Sequence, residues 1–342
     1  MQSSLDKWFT GSKTKISHIF YLDWDSDSHS PNKNAVWLDE ITNIGREYFT
    51  KEISWRNFKM RVTICSNNIP ISTYKVASNT NEKHPAIPIL KSNLQKCIRR
   101  GLTNKAIKTA IAMINIDFIE FIRRLTIIMV EDCVVHESIS TLVWMTAAYP
   151  EWNPNRKHIS WLLGIVKYLA DLEHRDLVKK EDFNFKQYIK DINSLDVKSK
   201  SIIYSIYFRV SYGGLSGDKK MLEYFSELWL DRLNNNSEFN NYLYNKITPI
   251  CEEIEPIKKN DIETASADFH CYPQMLSILY KKYNKYKTED LKKAIWFHRS
   301  RKTTKKILDG IDDYDNNYME LWTLIRYDVN IISNRYLQMI KF

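Results

Sequence analysis

Ile116-Asp117-Phe118-Ile119-Glu120-Phe121-Ile122-Arg123-Arg124-Leu125-Thr126-Ile127-Ile128-Met129-Val130 sets the fold class. Phe118, Ile119, Ile122, Leu125, Ile128 and Met129 recur at the intervals that line one face of an α-helix. Working outward, 138–148 and 160–172 repeat that behaviour. Further helices are expected at 198–210, 219–233, 238–247, 273–283, 289–297, 302–308 and 316–340, the last with a break near 330–333. From residue 90 onward the pattern is helical almost to the end, with a more polar stretch at 181–192. No fixed-period repeat is visible.

The first quarter of the chain reads differently. Residues 16–23 alternate weakly and suggest a strand. Asp23 to Asn32 has turn and loop composition. Residues 35–49 suggest a helix. Residues 59–65 and 69–76 are β-prone runs joined by Ser66-Asn67-Asn68, a hairpin turn. Residues 78–88, polar and broken by prolines, read as a linker. The expected architecture is mainly α: a multi-helix domain over 89–342, with two subdomains split near 175–197, preceded by a small mixed α/β region over 16–88 and a tail over 1–15.

Bulk properties narrow the function. With 342 residues, 44% hydrophobic and 13% aromatic, the chain can bury a substantial core. Eight glycines and nine prolines disfavour sandwiches, barrels and glycine-rich nucleotide folds. The net charge of +9 favours a polyanionic partner, with a basic surface kept for solubility as the plain alternative. The five cysteines are scattered and never paired as CxxC, which argues against a disulfide framework or zinc finger and for a reduced compartment. No signal peptide follows Met1, and charges interrupt every apolar run before membrane-spanning length. Abundant Lys, Asn, Ile and Tyr suggest an AT-rich genome, such as that of a large DNA virus or a protist.

The tail carries the most specific motif. In Gln2-Ser3-Ser4-Leu5-Asp6-Lys7-Trp8-Phe9, one tight helical turn would bring Leu5, Trp8 and Phe9 together as an apolar plug. Gln2 stands upstream as an amide that both donates and accepts hydrogen bonds. Gly11-Ser12-Lys13-Thr14-Lys15 follows as a basic leash. This resembles the PIP box, by which replication and repair proteins bind the sliding clamp PCNA, with Trp8 in place of the usual Phe or Tyr. The resemblance implies clamp binding through Gln2, Leu5, Trp8 and Phe9. It also implies location in the nucleus, or in a cytoplasmic replication factory if the protein is viral.

A second resemblance covers about forty residues. Leu94-Gln95-Lys96-Cys97-Ile98-Arg99-Arg100 is followed by an alanine-bearing helix and then by Arg123-Arg124-Leu125, Ile128 and Glu131-Asp132. This is similar to the C-terminal helical region of the RarA/MgsA recombination ATPases, relatives of clamp loaders. It implies a helical oligomerisation or DNA-adjacent module, so a homo-oligomer stays open. No GxxxxGK[ST] occurs anywhere, so no ATP hydrolysis and no cofactor is expected.

Other motifs are open to two readings. Arg99-Arg100 and Arg123-Arg124 offer forked donors to phosphates, or to carboxylates such as Glu120, Glu131 and Asp132. Trp296-Phe297-His298-Arg299-Ser300-Arg301-Lys302-Thr303-Thr304-Lys305-Lys306 offers a nucleic-acid contact through Arg299, Arg301, Lys302, Lys305 and Lys306, with Lys281, Lys282, Lys285, Lys287, Lys292 and Lys293 extending the basic character. Gly213-Gly214-Leu215-Ser216-Gly217-Asp218 reads as a helix end, a turn and an Asp218 N-cap rather than a phosphate loop. Asp23, Asp25 and Asp27 read as a solvated acidic loop, or as Mg²⁺ ligands of a nuclease. Asp268-Phe269-His270-Cys271 supplies too few ligands for zinc, and no metal site is expected. The expected function is a non-enzymatic, clamp-binding accessory protein of DNA replication, repair or clamp-coupled transcription. Its basic helical body would contact DNA or another replisome protein. A metal-dependent nuclease and a helical interaction scaffold are the alternatives.

Overall fold

A period-two alternation replaces the expected helix over 35–49. Lys33–Leu38 buries Ala35 and Trp37 between half-exposed neighbours, as a strand does and a helix does not. The computed structural model describes residues 16–25, 27–40, 45–55, 58–67, 86–176, 195–235, 239–308 and 318–340. The tail with Gln2, Leu5, Trp8 and Phe9, the β-prone run at 69–76 and the polar stretch at 181–192 lie outside them. The chain is mainly α, with eleven α-helices among the described residues and a small N-terminal sheet region.

Its contacts divide into two units. The first comprises Met1–Lys75, Ile122–Gly164 and Val178–Cys251; the second, Val76–Phe121, Ile165–Leu177 and Glu252–Phe342. This differs from the linear division read at residue 88. A sheet apolar on one face must be covered, and here helices from the middle of the chain cover it.

In the first unit, β1 (Ile16–Asp23), β2 (Lys33–Leu38), β3 (Arg46–Trp55) and β4 (Phe58–Ser66) form one sheet in the order β2-β1-β4-β3. The β1–β2 and β3–β4 pairs are antiparallel, and β1–β4 is parallel. Gly45, at φ 64°, leads into β3 where an added Cβ would lie 2.3 Å from the Ser66 carbonyl oxygen. Phe20 stacks on Trp37 with centroids 4.4 Å apart, and Trp37 meets Phe208 edge-on at 5.0 Å.

Counting helices from residue 86, α4 (Ile139–Ala148) and α6 (Val197–Val210) lie against this sheet, and every residue of α4 is buried. Trp144 Nε1 donates to the carbonyls of Phe20 and Cys65, each at 3.0 Å. α5 (Arg156–Asp171) starts at Asn155, whose Oδ1 accepts from the His158 amide at 3.0 Å while its own amide donates to His158 Nδ1 at 2.9 Å. α7 spans Ser216–Asn234 with Asp218 in its first turn; the N-cap is Leu215, one turn before the Asp218 cap that was expected. The helix expected over 238–247 shrinks to α8 (Asn240–Leu243), because Leu243 O and Asn245 O instead accept from the Glu137 amide and His136 Nε2, at 2.9 and 2.7 Å.

In the second unit, α1 (Ala86–Arg99) and α2 (Thr103–Ile116) pack together. Buried Asn93 donates to Thr109 Oγ1 at 2.8 Å and accepts from the Glu263 amide and Ser266 Oγ at 2.8 and 3.0 Å. α3 (Phe118–Asp132) follows α2, and its residues from Ile122 onward belong to the first unit. Beyond two 3₁₀ turns lie α9 (Asp268–Lys282), α10 (Thr288–Ile295), a π turn (Trp296–Ser300) and α11 (Met319–Met339). The helix expected over 302–308 is absent. There β6 (Lys306–Ile307) pairs in parallel with β5 (His174–Arg175), and Thr303 Oγ1 donates to Arg99 O at 2.8 Å. α11 runs unbroken through 330–333, where buried Ser333 donates to Asp268 Oδ1 at 3.2 Å. Among the described residues, no helix is long and apolar enough to cross a membrane.

Candidate nucleic-acid interface

The basic residues singled out by sequence separate into internal and surface groups. Arg299 is buried, and its Nε donates to both Asp268 carboxylate oxygens at 2.9 and 3.0 Å. Its Nη1 also donates to Asn330 Oδ1. Arg99 Nη1 donates to Ser300 O at 2.8 Å. Arg100 donates to Arg299 O at 2.8 Å and to Glu263 Oε2 at 3.2 Å. Buried Lys305 caps the C-terminal turn of α5, donating to Leu169 O at 2.8 Å, Ala170 O at 3.2 Å and Leu172 O. These four side chains spend donors on carbonyl and carboxylate oxygens of their own unit, with Arg299, Arg99 and Lys305 buried and Arg100 half-buried. Burial pushes the Asp268 carboxyl above the ordinary range, with Arg299 and Lys96 opposing it.

Arg301, Lys302 and Lys306 stay at the surface. Arg301 lies over the Phe297 ring at 5.8 Å, and Lys302 and Lys306 are exposed. Arg123 and Arg124 are half-buried in the first unit. The Arg123 guanidinium lies against Gly213, and neighbouring Arg209 holds the turn by donating to Gly213 O at 2.9 Å, Arg123 O at 3.0 Å and Thr126 Oγ1 at 2.9 Å. Gly213 and Gly214 have φ of 80° and 132°, so the turn needs their left-handed freedom.

The most accessible basic surface is the α9–α10 hairpin. Lys281, Lys282, Lys285, Lys287, Lys292 and Lys293 are all exposed. Lys281, Lys285 and Lys287 have no carboxylate partner among the described residues. Lys285 lies over the Tyr286 ring at 4.9 Å. Lys282 shares Asp328 with Tyr283, at 2.8 and 2.6 Å, and that hydrogen bond raises its ammonium pKa above the ordinary value. Lys292 pairs with Glu289 at 2.7 Å. At the far end of the hairpin, Phe269 and Trp296 meet at 5.9 Å and remain 47% and 39% exposed. Exposed rings of this size, on the same hairpin as lysines without a carboxylate partner, were hidden in sequence: Phe269 stood in a candidate metal motif, and Trp296 was readable equally as a core anchor.

The other candidate chemistry does not converge. Asp23 Oδ1 accepts from Asn67 Nδ2 at 2.6 Å and Asn32 Nδ2 at 3.1 Å, which knits the loop. Asp25 Oδ1 accepts from the Asp27 amide at 3.0 Å, and Asp27 pairs with Lys157 at 3.3 Å. His270 Nε2 lies 3.1 Å from Ser92 Oγ, and buried Cys271 Sγ donates to Ala267 O at 3.2 Å. Burial pushes the Cys65 and Cys97 thiols up to about 11 and about 12, away from nucleophilic use. Among the described residues, no group of three or more His, Cys, Asp or Glu side chains could hold a metal ion. No family model, curated protein or solved structure matches the chain.

Proposed function

We propose that this protein is a sliding-clamp-binding accessory factor of DNA replication, repair or clamp-coupled transcription. The spacing of Gln2, Leu5, Trp8 and Phe9 carries the reading. The tail docks on a PCNA-type clamp, and the basic face of the α9–α10 hairpin holds nucleic acid through Lys281, Lys285 and Lys287. Arg301, Lys302 and Lys306 are further cations of the same unit. Tethering makes a weak contact effective, because a clamp already encircling the duplex raises the local concentration of the body.

Calorimetry of the full chain against a PCNA-type clamp tests this. Micromolar binding is expected, lost in the Leu5→Ala/Trp8→Ala/Phe9→Ala variant with no change in thermal unfolding. Equal affinity of the triple variant would overturn the reading. Replacing Lys281, Lys285 and Lys287 together by Ala should weaken binding to any nucleic acid and lower the salt slope by about 2, at roughly 0.7 per phosphate contact on a single strand.

A further inference from the structure

The α9–α10 hairpin presents two different chemistries at its two ends. The turn end carries Lys281, Lys285 and Lys287, which have no carboxylate partner among the described residues. The other end carries Phe269 from the first turn of α9 and Trp296 from the start of the π turn, rings 5.9 Å apart and inclined by 60°. Both keep large exposed areas although neighbouring positions on the same elements are fully buried: Asp268 at 0%, Cys271 at 2%, Ile295 at 0% and Ser300 at 0%. Lys96 places its ammonium 5.3 Å from the Phe269 centroid. Eleven residues along α9 from Phe269, and on the same side of the helix, Tyr280 is 49% exposed. At 1.5 Å per residue the two rings are about 16 Å apart along the helix, room for about five nucleotides at roughly 3.4 Å each.

A duplex hides its base faces in the stack and offers a hairpin of this kind only phosphates. A single strand offers both phosphates and free base faces, and rings beside lysines match that pair of chemistries. We propose that this face takes single-stranded nucleic acid, with bases stacked on Phe269, Trp296 and Tyr280 and the backbone held by Lys281, Lys285 and Lys287. The proposal rests on the nucleic-acid reading above and specifies its ligand.

The test is fluorescence anisotropy of the full chain with three labelled 20-mers: oligo-dT, a duplex, and a fully abasic single strand of equal phosphate number. Oligo-dT should bind at least about fivefold more tightly than the other two, the low end for one stacked base. Phe269→Ala/Trp296→Ala should remove that advantage and leave the salt slope unchanged. Phe269→Leu, which keeps an apolar side chain, should show the same loss for its ring with the fold intact. Equal binding of oligo-dT and the abasic strand, or an unchanged oligo-dT affinity in the double variant, would overturn stacking while leaving electrostatic nucleic-acid binding in place. Binding of none of the three, or binding indifferent to the triple lysine variant, would overturn the nucleic-acid reading itself and this proposal with it.

Discussion

Arg299 Nε lies 2.9 Å from Asp268 Oδ1 and 3.0 Å from Oδ2, with the carboxylate wholly buried and also accepting from Ser300 and Ser333 at 3.1 and 3.2 Å. Removing one partner of such a pair strands the other charge without water. Arg299→Ala should therefore cost roughly 3–5 kcal/mol in urea unfolding. Lys302→Ala, on the surface only three residues along the chain, should cost less than about 0.5 kcal/mol. Asp268→Ala/Arg299→Ala should be less damaging than the sum of the single changes, because the double variant strands nothing. Equal and small losses for Arg299 and Lys302 would show that both are surface cations.

The free edge of β2 is closed by helix hydroxyls. The Trp37 amide donates to Ser201 Oγ at 2.9 Å, its Nε1 donates to Ser205 Oγ at 3.1 Å, and the Ala35 amide donates to Thr141 Oγ1 at 3.0 Å. Ser201→Ala leaves a buried amide without an acceptor and should cost about 1–3 kcal/mol. Ser201→Thr keeps the acceptor and should recover most of that loss. Chemical denaturation of the two variants side by side separates a hydrogen-bond effect from a packing one.

Much of the helical fold was legible because its signal is local. Residues 116–130 became Phe118–Asp132, 138–148 became Ile139–Ala148, and 198–210 became Val197–Val210. The errors arise where long-range partners decide. Residues 302–308 look helical alone, yet Lys305 is drawn into the carbonyls ending α5 and Thr303 into Arg99 O. Residues 35–49 became strands because Phe20 and Phe208 build the slot that Trp37 fills. The basic candidates failed to separate for a related reason. Arg299 and Arg301 are two residues apart, and only tertiary packing makes one a core donor and the other a surface cation.

Gly164 illustrates a residue whose purpose is invisible in sequence. It stands inside α5, where glycine weakens a helix, but an added Cβ would lie 2.4 Å from Thr248 O as the segment after α8 passes by. Ile250 N donating to Ser160 O at 2.9 Å fixes that segment in place. Gly164→Ala should gain about 1 kcal/mol of helix propensity and lose about 1–3 kcal/mol to overpacking. A net fall in the unfolding midpoint is expected, and a rise would show that the segment yields freely.

Acid stability follows from two buried histidines. Burial lowers His136 to about 4 and His158 to about 3, from an ordinary 6.5. His158 Nδ1 also accepts the Asn155 amide at 2.9 Å, a bond that protonation at that nitrogen would abolish. Both groups stay neutral in the fold while the unfolded chain takes up protons below about pH 6.5. The unfolded state therefore binds more protons, and stability falls as pH falls, at about 1.4 kcal/mol per pH unit for each histidine. Between about pH 6 and 5 the pair should remove up to about 2.7 kcal/mol per unit, and the His136 share fades as pH approaches its folded value of about 4. His158→Gln keeps an acceptor without a titrating ring and should halve that slope. Urea unfolding at pH 7, 5.5 and 4.5 measures it, and a slope unchanged by the substitution would mean that His158 already titrates at its ordinary value in the fold.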